Sequence, residues 1–330
     1  MRKKSFLAVV MAAVISLGLA GCGGSSSTAS SESDAASGAE SAAASENGEA
    51  AESTGNTAES SEAADSADET ASAGTQNYTA DLTVFAAKSL NGVMEEIISK
   101  YEEVQPGVKI TGSYDSSGTL MTQIEQGAPC DVFFSAAQKQ MNQLADEDMV
   151  DSDTRADVVN NQVCVVTYKE SGTKVTGLSD IGNASTLALA DGTVPVGKYT
   201  REAMVHAGMI TKSESEADNS EITTQEISDQ LGGVTINECA NVGAVTAAVS
   251  TGANEVGTVY VSDTHGLEDK LDILEKVSYD LTGDVIYPAA VIKNPDASDD
   301  QKAAAADFVR FLKSDTAKAL FDEYGFDTEV

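Results

Sequence analysis

From Leu82 onward the spacing of apolar residues switches repeatedly between two and about 3.6, and that switching confines the chain to a layered α/β fold. Leu82-Thr83-Val84-Phe85-Ala86 predicts a strand. Leu90, Val93, Met94, Ile97, Ile98 and Tyr101 then share one helix face, with Ser89 placed before them as an N-cap. Pro106-Gly107 breaks the chain and Val108 to Tyr114 predicts a second strand. Ser117 opens a helix through Leu120, Met121 and Ile124 that Gly127 closes. Asp131-Val132-Phe133-Phe134 predicts a third strand, and Gln138 to Ala145 a third helix. Strands joined through helices in this way run parallel. A second set begins at Val163-Cys164-Val165-Val166 and continues at Thr186 to Ala190 and at Gly257-Thr258-Val259-Tyr260-Val261. Helices from Ala303 to Leu312 and from Thr316 to Tyr324 follow, with Gly325 as the stop. No internal repeat is evident.

The start of the chain obeys other rules. Arg2, Lys3 and Lys4 precede an apolar run from Phe6 to Ala20, which closes in Leu19-Ala20-Gly21-Cys22. This is the layout of a bacterial secretory signal with a cysteine at the cleavage position. It predicts a signal over residues 1–21, lipid attachment at Cys22, and an extracytoplasmic protein anchored to the cell membrane. The run is too short for a transmembrane helix. One acyl chain holds a protein only marginally, so two or more are implied. Residues 23–77 carry 11 acidic side chains and no Lys or Arg, with almost nothing apolar larger than alanine. Such a segment buries too little to order itself, which predicts a disordered, extended spacer over residues 22–77.

Charge and cysteine usage narrow the function. The chain carries −33, the basic start +3 and the spacer −11, which leaves −25 for the folded part. Nucleic acid, whose phosphates demand a basic patch, is not an expected partner. Cys130, Cys164 and Cys239 are far apart and form no CxxC pair, so no zinc site is supported and buried filler is the expected role. His206 and His265 have no partner pattern that would position a catalytic site.

In open α/β sheets ligands bind where strands end and helices begin. Two such lobes facing each other form a cleft lined by helix N-termini, whose free N–H groups can hold an anion without a cation. Ser89 and Ser117 each stand at a strand-to-helix junction, in Ala86-Ala87-Lys88-Ser89-Leu90 and in Tyr114-Asp115-Ser116-Ser117-Gly118. Each could offer a hydroxyl and a backbone N–H to one ligand; each could equally be a plain N-cap.

The segment Val84-Phe85-Ala86-Ala87-Lys88-Ser89-Leu90, then Gly118-Thr119-Leu120, then the run from Gln123 to Ala136 closely resemble the molybdate-binding proteins of ABC importers. The likeness continues in order at Val194 to Tyr199, Gly257-Thr258-Val259-Tyr260, Ile286-Tyr287-Pro288, Phe308 to Leu312 and Tyr324-Gly325-Phe326. It implies a two-lobed, class II periplasmic-binding-protein-like α/β fold, each lobe a mixed, mostly parallel sheet flanked by helices. The lobes are expected at residues 78–160 with 285–330 and at 161–284, with crossings near Asn161-Gln162 and Asp284 to Tyr287. The resemblance implies a solute-binding protein rather than an enzyme. The ligand would be molybdate or tungstate, with no cofactor and no directly bound metal. An ABC permease would receive the cargo from a monomeric, membrane-anchored carrier. By matching motifs the ligand contacts are the side chains of Ser89 and Ser117, the backbone N–H groups of Val196 and Val242, and the hydroxyl of Tyr260.

Two residues depart from the family pattern. Lys88 stands where many relatives carry a small residue, and Asp115 lies two residues before Ser117. A carboxylate facing a dianion would be repelled, so Asp115 is expected to turn away or cap its own turn. Readings from other classes are a binder of sulfate, thiosulfate or a small carboxylate, an enzyme on the same fold, and a sensor lobe that signals to a receptor.

Overall fold

The computed structural model describes residues 77–330. The expected signal, Cys22 and the spacer up to residue 76 lie outside the described residues. The chain runs β1 (Ala80–Ala87), α1 (Asn91–Val104), β2 (Val108–Asp115), α2 (Ser117–Glu125), β3 (Val132–Phe134), α3 (Gln138–Asp146) and β4 (Ala156–Asn161). It then forms β5 (Val163–Tyr168), β6 (Thr186–Ala190), α4 (Pro195–His206), α5 (Thr224–Gln230), β7 (Thr235–Cys239), α6 (Val242–Ser250), β8 (Val256–Tyr260), β9 (Leu271–Lys276) and α7 (Tyr279–Thr282). It closes with β10 (Val285–Val291), α8 (Asp299–Phe311) and α9 (Asp315–Glu323).

These strands build two five-stranded sheets, ordered β2-β1-β3-β10-β4 and β7-β6-β8-β5-β9. In the first, β1 pairs parallel with β2 and β3, while β10 runs antiparallel to β3 and β4. In the second, β6 pairs parallel with β7 and β8, while β5 runs antiparallel to β8 and β9. The reversed strand of each sheet is the one entered straight from the other: β5 follows β4 after Gln162, and β10 follows α7. The molecule is thus the two-lobed, mixed and mostly parallel α/β fold that the sequence led us to expect.

Side-chain alternation puts β1 between two cores. Leu82, Val84 and Ala86 face the larger one with Val93, Met94, Ile97 and Tyr101 of α1. Phe85 faces the opposite way, among Leu120 and Ile124 of α2 and Met141 and Leu144 of α3. Helices therefore cover both faces, which is why β3 is apolar at every position. The strands β7 and β9 carry no clear alternation because they are the edges of the second sheet.

One local expectation is corrected and one is refined. Ser89 does not cap α1: it sits inside a 3₁₀ turn, Lys88–Leu90, and its hydroxyl bonds elsewhere. The cap of α2 is Ser116, whose Oγ accepts from the Thr119 amide at 3.1 Å, and Ser117 is the first helical residue.

Candidate anion-binding site

The strand-to-helix junctions of both lobes meet around one small cavity of about 10 Å³. Ser89, Ser117, Val196, Val242 and Tyr260 all line it, together with Ser116, Ala136 and Pro195. All five residues singled out from the sequence thus come together, although 171 positions separate the first from the last.

Ser117 is fully buried, and its Oγ accepts from the Ala136 amide at 2.9 Å. Its own proton is left to aim at an acceptor. Ser89 shares a 2.9 Å hydrogen bond with the Tyr287 hydroxyl. Val196 and Val242 offer main chain rather than side chain. Pro195 occupies the first position of α4 and Val242 that of α6, and the first amides of a helix have no intrahelical acceptor. Asn241 caps α6 through the Ala244 amide at 3.0 Å. The enclosure therefore sits at the positive ends of α2, α4 and α6. The Tyr260 hydroxyl is buried beside the Tyr287 hydroxyl without a well-formed hydrogen bond of its own; Tyr287, 5.8 Å away ring to ring, already bonds Ser89 and Asn161.

Both departures from the family pattern are resolved. Asp115 does not line the enclosure: one carboxylate oxygen accepts from the Ser116 amide at 2.7 Å and from Asn241 Nδ2 at 3.0 Å. Lys88 does line it, but its ammonium reaches the Asn91 side chain at 3.4 Å and its stem lies against Gly243 of α6.

Sequence reading missed the residues behind this front row. Tyr287 is a buried hub that bonds Ser89 and accepts from Asn161 Nδ2 at 3.1 Å. Its segment Ile286-Tyr287-Pro288 carried part of the resemblance without a role attached. Arg201 on α4 is 1 % exposed and donates to the carbonyls of Ile222, Ala190 and Gly197 at 2.8–2.9 Å. It pins the first turn of α4 to the end of β6 and so aims the Val196 amide. Nothing in the spacing around Arg201 separates it from a surface arginine.

Burial holds the Tyr260 and Tyr287 hydroxyls well above the usual phenol range, so both remain protonated donors. Burial also pushes the Asp263 carboxyl up to about 7, against the opposing Tyr260 amide bond and the Lys88 charge. Its folded pKa lies above its unfolded value of 3.8, so the stability it contributes is complete below that value and lost as pH rises through about 7. Asp263→Asn should therefore flatten the fall in melting temperature between pH 4 and 8. It should leave the variant about 10 °C above the parent at pH 8, read by calorimetry.

The remaining reactive side chains lie elsewhere. All three described cysteines are buried, and burial raises each thiol pKa. His206 Nδ1 bonds the Leu281 carbonyl and His265 stacks on Tyr324, both away from the enclosure. Among the described residues no cluster of His, Cys, Asp or Glu could hold a metal ion, and no helix is long and apolar enough to cross a membrane.

Two lobes meeting at such a site have the architecture of the solute-binding proteins. A family model for bacterial extracellular solute-binding proteins matches residues 82–327, and the chain belongs to that family. Among similar proteins, the molybdate-binding protein ModA of Escherichia coli is 30 % identical over 252 residues, covering 74 % of this chain and 88 % of that one. A Bacillus subtilis protein named as an ABC transporter substrate-binding lipoprotein, YvgL, is 29 % identical over 249 residues, covering 75 % and 86 %. Among solved structures, one titled as the substrate-binding domain of a molybdenum ABC transporter from Clostridium difficile is 34 % identical. It superposes with a TM-score of 0.56 over 76 % of this chain and 99 % of that one. The periplasmic molybdate-binding protein of Azotobacter vinelandii, at 21 % identity, shares the fold with a TM-score of 0.59 over 74 % and 98 %. The resemblance read from the motifs is thus matched across the folded region, and the relatives are binding proteins rather than enzymes.

Proposed function

We propose that this chain captures molybdate or tungstate outside the cytoplasm and delivers it to an ABC permease, held at the membrane as a monomer through lipid on Cys22. One observation carries the reading: uncharged donors from two lobes converge on one small cavity, and one of them, the Tyr260 hydroxyl, makes no well-formed hydrogen bond within the protein. The donors are the hydroxyls of Ser89, Ser117 and Tyr260 and the amides of Val196 and Val242. Each charge-assisted hydrogen bond contributes about 1.5–3 kcal/mol net, so five offset the dehydration of a dianion and reach micromolar binding or tighter. Amide donors and hydroxyls already engaged within the protein favour a fully deprotonated oxyanion, every oxygen of which can accept. The room made when ligand enters is expected to separate molybdate and tungstate from the smaller sulfate, and not from each other.

Because contacts come from both lobes, ligand favours the closed state. The crossing segments are built to hinge on polar side chains: Asn160 Oδ1 accepts from the Asn161 and Val285 amides, and Gln162 donates to the Val277 carbonyl.

Calorimetric titration of stripped protein with molybdate, tungstate, sulfate, thiosulfate and a small carboxylate tests the reading. Sulfate binding as tight as molybdate would refute it. Tyr260→Phe is expected to act with opposite signs on two properties. It removes a ligand donor, so molybdate affinity should fall about 10–100-fold. It also removes an unsatisfied buried hydroxyl, so the ligand-free protein should melt at about 2–6 °C higher.

A further inference from the structure

We propose that Asp115 and Asn241 form a clasp that holds the lobes together at the rim of the enclosure without ligand, and so sets how tightly the ligand is held. The effect on affinity rests on the oxyanion reading above; the effect on closure rests on geometry alone.

Asp115 ends β2 in the first lobe, and Asn241 precedes α6 in the second. Asn241 Nδ2 donates to Asp115 Oδ1 at 3.0 Å, and the same oxygen accepts from the Ser116 amide at 2.7 Å. The other end of the Asn241 amide accepts from the Ala244 amide at 3.0 Å. Both ends of that side chain are therefore committed, and a flipped amide would oppose oxygen to carboxylate. The bond joins the starts of α2 and α6, whose first residues, Ser117 and Val242, line the enclosure from opposite lobes.

Two other polar contacts across the cleft are weaker. Lys139 and Asp218 pair at 2.8 Å, but both side chains are about half exposed, where ion pairs contribute little. Gln140 Nε2 only approaches the Thr193 carbonyl, at 3.5 Å. The clasp is partly buried and charge-assisted. Two donors also hold the Asp115 charge aside, which keeps a carboxylate compatible with an anion site. Apparent affinity scales with the fraction of molecules already closed, so a ligand-independent clasp tightens binding without touching the ligand.

Asn241→Ser tests this, because serine still caps α6 but cannot reach Asp115. In the full chain titrated with molybdate, Asn241→Ser should weaken binding about five- to tenfold. In an Asp115→Ala background the same change should alter affinity by less than about twofold, since the two residues act as one contact. In ligand-free protein both single variants should show a larger radius of gyration by small-angle scattering than the parent. Equal losses in the two backgrounds, or unchanged radii, would overturn the clasp. If the parent chain takes up no oxyanion, the proposed function fails and the scattering comparison alone decides the clasp.

Discussion

Gly197→Ala is expected to unfold the start of α4 from its seat and to cost the protein both stability and ligand. A β-carbon at this position would lie 2.1 Å from the Asp191 carbonyl oxygen and 2.5 Å from that of Ala190. Both are backbone atoms at the end of β6, so no side chain can swing aside. The helix must retreat, and retreat strains the Arg201 bonds that tie the Ala190 and Gly197 carbonyls together. Overpacking of this kind costs about 1–3 kcal/mol, or about 2–12 °C in melting temperature for a domain of this size. The Val196 amide precedes Gly197 and would move with it. Molybdate affinity should drop at least about tenfold, since hydrogen bonds weaken steeply with misalignment. Parental affinity with a lowered melting temperature would show that the α4 amide is not a ligand contact.

Ser117→Ala should cost the protein both ligand and stability. It removes one donor to the dianion and strands the Ala136 amide, which now donates to Ser117 Oγ inside the protein. The lost charge-assisted bond corresponds to about 10–100-fold in Kd, and the orphaned amide to about 1–3 kcal/mol of stability. Ser116→Ala is the control. It deletes the cap of α2, worth about 1 kcal/mol, and leaves Ser117 in place. Titration should find Ser116→Ala within a few-fold of the parent, while thermal melts find both variants destabilised. Equal affinity losses in the two variants would mean that Ser117 serves the helix and not the ligand.

These expectations depend on different kinds of information. That Ser117 stands where a strand yields to a helix was legible in the chain, because apolar period and polar junction are local properties. Which of two adjacent serines caps the helix was not: Ser116 and Ser117 have the same chemistry, and the backbone turn alone chooses between them. The same limit explains Ser89. Its place before an apolar stripe fits an N-cap, yet an interposed 3₁₀ turn carries it to a tyrosine 198 residues away. Val196 and Val242 were reached through motif resemblance, since a contact made by main chain leaves no mark on the side chain. Arg201 was invisible for a related reason. A buried cation whose partners are carbonyl oxygens asks nothing distinctive of neighbouring residue types.

The two-lobed arrangement came with the motif resemblance, while periodicity, charge and composition were enough to predict an α/β architecture behind an acidic leader, with serines where strands yield to helices. Those are properties of short windows, and short windows are what hydrophobic pattern and propensity control. The reversed strands β5 and β10, the Tyr287 hub and the Asp115–Asn241 contact were decided only when the chain folded. Each joins residues about ninety or more positions apart, and nothing in a window of ten can say which distant strand, hydroxyl or carboxylate will arrive.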